Sequence, residues 1–283
     1  MAEDVSLVPA STAAPATPVP RESRSERARR ASYRLRFGIV YVFLAAVFGA
    51  GVGAFVVLAT GDDPAPDAAW SPWQPTGSPE AMVRQIADRI PKAYTDGGDQ
   101  LVISTAGLLS VPTEQGEIPI ENVFVQPDTS KGLAEEDDIE VYDGDSVVSY
   151  ALCGVGNSDQ CAITRGTPSA ERFTLLRRQA LELSLYTLRY VDDVDSVIVF
   201  MPPTKDGKSN GTVFLTRKDV AGELQRPLAD LLPARNPTVG SLNEIEEGHV
   251  LRLTEPRTYA FQFQAAPNGS PILVLSPPTE TQS

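Results

Sequence analysis

From Phe37 to Thr60 the chain reads FGIVYVFLAAVFGAGVGAFVVLAT, 24 residues without a charged, amide or imidazole side chain. A helix of that length, at about 1.5 Å per residue, reaches roughly 36 Å and crosses a hydrocarbon core of about 30 Å with some tilt. The run is apolar on every face, whereas a core helix of this length would keep a polar strip. The pattern therefore predicts a transmembrane helix. A cleaved signal peptide would place the rest of the chain in the same compartment, but its apolar region is shorter and Leu58-Ala59-Thr60 makes a poor cleavage site. A signal anchor is the expectation.

Downstream of the span the periodicity becomes that of a water-soluble domain. Ser78-Pro79 is a helix start, and Met82, Ile86 and Ile90 recur every four residues until Pro91. Strands are expected at Leu101–Ser104, Gly107–Val111, Ile118–Val125, Ile139–Tyr142 and Ser146–Leu152, with a hairpin across Asp143-Gly144. A long helix follows from Pro168 to about Tyr190, capped by Thr167. Its apolar residues cover most of the circumference and leave a strip of Glu171, Arg178, Glu182 and Arg189 that reads as a solvated face. Val197–Met201 is apolar on both faces, as a central strand is.

Thr212–Thr216 reads as another strand, a helix is expected near Asp219 until Pro227, and His249 falls at the mouth of a further strand. Tyr259, Phe261 and Phe263 alternate with smaller or polar residues before Asn268-Gly269 turns the chain into Ile272–Leu275, a second hairpin. Helices and strands are interspersed without a βαβ repeat. The expected fold is a single transmembrane helix plus an extracytoplasmic α+β domain, a mixed or antiparallel sheet packed on one long, largely buried helix.

Charge sets the orientation. Arg21, Arg24, Arg27, Arg29, Arg30, Arg34 and Arg36 precede the span, and no Lys or Arg follows it until Arg84, which puts the N-terminus in the cytoplasm. Of 24 basic and 37 acidic side chains, 7 and 4 lie in residues 1–36; the 17 and 33 that remain give the outer part a charge of −16. Nucleic acid is thereby excluded as a partner, and the bilayer is the first neighbour. Four segments result: a disordered, Arg-rich cytoplasmic tail at 1–36, the span at 37–60, a Pro-rich spacer at 61–77, and a domain at 78–283 that forms either one core or two lobes, 78–165 and 166–283. Trp70 and Trp73 in the spacer are expected as interfacial anchors at headgroup level, with packing on the domain as the alternative. Ala45, Gly49 and Gly53 recur on one face of the span and would let two copies approach closely, a route to a homodimer.

Candidate chemistry is sparse. Cys153 and Cys161 are the only cysteines and bracket a loop of turn-forming residues; outside the cytoplasm they should form a structural disulfide. His249 is the only imidazole, and no G-x-S-x-G elbow, P-loop, dinucleotide fingerprint or metalloprotease helix accompanies it. The acidic stretch from Glu135 to Asp145 lacks EF-hand spacing, so calcium there is an alternative to a plain solvated surface. No cofactor, metal or catalytic residue is assigned. The expectation is a membrane-anchored, non-catalytic envelope protein in a cell membrane, whose outer domain binds a protein partner or has a structural or sensory role. An anchored hydrolase using carboxylates, and a signalling dimer, are the alternatives. The Ala, Arg, Asp, Val and Pro bias suits a GC-rich bacterial coding sequence, which would make the outer compartment periplasm or cell-wall space.

Overall fold

Ser78 Oγ accepts a hydrogen bond from the Ala81 amide at 3.4 Å, and Pro79 and Glu80 occupy the first turn, so the chain enters helix α1 (Pro79–Arg89) as its sequence requires. A computed structural model describes residues 69–113, 116–127, 138–155, 161–205, 211–233 and 235–278. After α1 come a short hairpin of β1 (Thr95–Asp96) and β2 (Asp99–Gln100), then β3 (Val102–Leu108), the hairpin β4 (Ser110–Thr113) and β5 (Gly116–Pro119), β6 (Asn122–Val125), β7 (Glu140–Asp143) and β8 (Val147–Gly154). Helix α2 (Ala170–Tyr190) is capped by Ser169, whose Oγ accepts from the Arg172 amide at 3.2 Å, two residues beyond the expected Thr167. The remainder is β9 (Ser196–Phe200), β10 (Thr212–Thr216), α3 (Glu244–Thr254), β11 (Thr258–Ala265) and β12 (Pro271–Ser276).

Eight of these strands form one mixed sheet in the order β3-β8-β9-β10-β11-β12-β6-β7. Parallel neighbours need a crossover, and α2 supplies the one between β8 and β9. Strand β9 lies between β8 and β10 and is buried on both faces, as its unbroken apolar run requires. One face of the sheet meets α1, α2 and α3 in a core that includes Ile86, Leu181, Leu185, Val199, Leu215 and Val250. The opposite face encloses a second core of Val123, Val147, Ile198, Phe214 and Leu273, and the Tyr142 ring from β7 sits edge-on to Phe214 at 5.0 Å. The sheet thus curls until β6 and β7 lie over its middle strands. Strands β9–β12, from residues 166–283, form the middle of this sheet and are flanked on both sides by strands from residues 78–165, so two cores share one sheet and the two lobes are not separate. The architecture is a mixed-sheet domain with few helices.

Several expectations are corrected. Asp143-Gly144 does not join a hairpin: β7 pairs with β6, and the 3-10 turn Gly144–Ser146 carries the chain across to β8. A helix near Asp219 does not form; single 3-10 turns at Glu223–Gln225 and Leu228–Asp230 stand on either side of Pro227. His249 lies in α3, where Asn243 caps the helix through the Glu246 amide at 2.9 Å.

The compact unit runs from Ala68 to Ser283, ahead of the expected start at Ser78, because Trp70 is part of the core. Its ring packs edge-on against Tyr186 at 5.2 Å and Tyr190 at 5.6 Å, and its carbonyl accepts from the Leu228 amide. Trp73 stacks obliquely on Tyr186 and receives the Arg89 guanidinium over its ring. The two indoles fasten the approaching chain to α2 in place of the headgroup position expected for them. Among the described residues no helix is long and apolar enough to cross a membrane. The expected span, the arginines Arg27, Arg29, Arg30, Arg34 and Arg36, and the packing face of Ala45, Gly49 and Gly53 lie outside the described residues.

Candidate functional site

The largest departure from the sequence pattern is the supposed solvated strip of α2. Arg178 is 2% exposed. Its Nε donates to Glu246 Oε1 at 2.6 Å, one terminal nitrogen donates to Glu182 and to the Tyr94 hydroxyl, and the other donates to the Pro233 carbonyl. Tyr94 in turn donates to Glu182, and Arg235 closes on the far oxygen of Glu246. Burial, and then the Glu182 carboxylate, push the Tyr94 hydroxyl well above its usual range. All three guanidinium nitrogens of Arg178 are engaged, so the cluster pins α2 to α3 and to the turn after α1. Arg217 does similar work at the other end of α2, donating to the carbonyls of Leu188, Val191 and Val194. That fork satisfies the helix C-terminus despite the acidic Asp192, Asp193 and Asp195, which point into solvent.

Cys153, at the end of β8, is bonded to Cys161 with 4.1 Å between Cα atoms, and the Gly154 amide donates to the Cys161 carbonyl. His249 lines a small cleft of about 90 Å³ with Glu223, Asp230 and Arg252; Glu223 is already paired with Arg252 at 3.1 Å. Asp219 is similarly occupied. Burial alone would raise its carboxyl, but hydrogen bonds from Arg257 and Thr216 outweigh that and hold it below the usual range. Among the described residues no three His, Cys, Asp or Glu side chains converge as metal ligands. Glu135, Glu136 and Asp137 of the acidic stretch lie outside the described residues.

No protein-family model, curated protein or solved structure matches this chain. The site has to be read from surface geometry, which offers three concavities of size among the described residues; one of about 270 Å³ lies beside the disulfide and is walled by Leu152, Phe200, Met201 and Phe261. Another, about 350 Å³, lies at the start of α2 and is walled by Ile163, Phe173, Leu176, Pro202 and Pro203. Arg172 at its margin is already bound to Asp96 at 2.6 Å.

The third, about 240 Å³, runs between α1 and β3, lined by Arg84, Asp88 and Lys92 on one side and by Gln100, Ile103, Ser104 and Ala106 on the other. Strand β3 is one edge of the eight-stranded sheet. It is seven residues long, and Ile103 and Leu108 are 45% and 64% exposed. It carries none of the lysines, prolines or bulges with which an edge strand is usually blunted. The sequence pattern predicts two strands here, Leu101–Ser104 and Gly107–Val111, where one continuous strand forms, and it cannot reveal the open side, because edge position depends on the order in which distant strands pair.

Proposed function

We propose that the chain is a membrane-tethered, extracytoplasmic binding module that holds another envelope protein and performs no chemistry on it. The observation that carries this reading is the open edge of β3 beside its groove: an unblunted row of backbone donors and acceptors is a template for strand addition. The disulfide supports an oxidising compartment, and the apolar run at 37–60 followed by a spacer supports a tether. Mutual pairing of the buried ionisable groups around Arg178 supports a structural rather than catalytic use of them.

The full chain in its own membranes tests the proposal. A photo-crosslinking residue in place of exposed Ile103 should give a discrete adduct, and one in place of Ile245, exposed on α3, should not. Protease added outside the inner membrane should digest residues 69–283 and spare an N-terminal tag. Turnover of an ester, peptide or glycoside panel that disappears in His249→Ala would overturn the reading in favour of an anchored hydrolase.

A further inference from the structure

The register of β3 tells which of its backbone groups face outwards. Val102 lies opposite Gly154 on β8, yet the Gly154 amide donates to Cys161, and the Val102 carbonyl accepts from the Gln100 side chain at 2.8 Å. Val102 and Gly154 are therefore a pair without mutual hydrogen bonds, and the backbone groups of Val102 face away from β8. By the two-residue period of an antiparallel ladder, Ser104 and Ala106 turn their amides and carbonyls the same way. Both line the groove, together with Gln100 and Ile103. Side chains divide likewise: Val102 and Ala106 pack with Val83, Ile86 and Ala87 of α1, whereas Ile103 and Thr105 stand on the opposite, exposed face.

We infer that this edge accepts an extended peptide of alternating acidic and apolar residues as a ninth strand, the acidic row facing α1 and the apolar row lying beside Ile103. The inference rests on the binding-module reading and names the partner's chemistry. Charge selects the acidic row. Along α1 and the turn after it the groove wall carries Arg84, Asp88 and Lys92; Asp88 and Lys92 offset each other at 2.8 Å, and Arg84, which donates to the Glu80 carbonyl, supplies the remaining positive charge. The wall is net positive on a part of the chain with a charge of −16. A second copy fits less well, because it would bring the same net positive wall against this one.

The full chain in nanodiscs of neutral phosphatidylcholine, titrated against a fluorescent Glu-Val-Glu-Val-Glu-Val peptide and its Lys-for-Glu counterpart, tests this. The acidic peptide should bind saturably, and N-methylation of alternate residues should abolish binding in one of the two registers. Ala106→Pro removes an outward amide and no bond to β8; it should weaken binding at least tenfold without moving the melting temperature. Thr105→Pro, which breaks the ladder, should lower that temperature. Arg84→Glu with Lys92→Glu should transfer the preference to the basic peptide. Equal binding of both peptides, indifference to Ala106→Pro, or a dimer that Ala106→Pro dissociates without any peptide would overturn the inference. Adducts from Ile103 in the native membrane combined with failure of the acidic peptide would sink the assigned chemistry alone and leave the tethered module standing.

Discussion

At the scale of single residues, Gly144 shows how one local signal serves two topologies. Asp-Gly is a strong turn signal, and the sequence reading placed a hairpin there; the turn is real, but it carries the chain across the curled sheet from β7 to β8. What demands glycine is proximity, not backbone freedom. A Cβ at this position would lie 1.8 Å from the Ile120 carbonyl oxygen, while the Gly144 amide donates to Glu121 at 2.8 Å, so the two backbones cannot separate without losing that bond. Gly144→Ala should therefore destabilise the domain by about 2–4 kcal/mol, the upper range for a forced overpacking. Gly107→Ala is the control: a Cβ there meets nothing within 4 Å, and its effect should stay within about 1 kcal/mol. Urea unfolding of the two variants, followed by circular dichroism, checks the contrast, and equal losses would contradict it.

At the scale of elements, what was legible from sequence was what local periodicity encodes. The extent of α1 and of most of α2, the central strand β9, and the C-terminal hairpin of β11 and β12 all follow from spacing, caps and the Asn268-Gly269 turn. Elements fixed by tertiary packing were not legible. Helix α3 contains Gly248 and β-branched residues that favour no helix strongly, and it is stabilised by an Asn243 cap and by Glu246 turning inwards to Arg178. That same pairing hid the role of Arg178, since a charged residue at helical spacing reads as solvent-facing until a second helix arrives to cover it. The edge position of β3 was hidden for the same reason, being a property of strand order. The pairing yields a test. Arg178→Met leaves Glu246 buried with only Arg235 and should cost about 3–5 kcal/mol, whereas Arg178→Met with Glu246→Met should recover a good part of the loss. A double-mutant cycle in urea measures the coupling; additive losses would show that the two residues do not act as a pair.

At the scale of the whole molecule, the flanking of the late strands by early ones on both sides has a thermodynamic consequence. Each core borrows strands from both halves of the chain, so neither can melt while the other keeps its sheet. Tyrosines report on both. Tyr94, Tyr150 and Tyr186 lie on the helical side and Tyr142 and Tyr259 on the other, and burial is the leading cause that raises all five above the usual tyrosine range. A group whose native pKa is raised contributes stability that is intact below its unfolded value, about 10 for tyrosine, and is lost as pH climbs beyond it. Ionisation also adds negative charge to an already acidic domain, which strengthens the self-repulsion. Alkaline unfolding should therefore begin above about pH 10. The 295 nm absorbance of these five tyrosines should rise in a single step together with loss of the far-ultraviolet dichroism. Replacing one reporter on each side, Tyr150→Phe or Tyr259→Phe, should reduce the amplitude of that step without splitting it. Two separated steps, one losing its amplitude in Tyr150→Phe and the other in Tyr259→Phe, would mean that the cores unfold independently and that the curled sheet is not one cooperative unit.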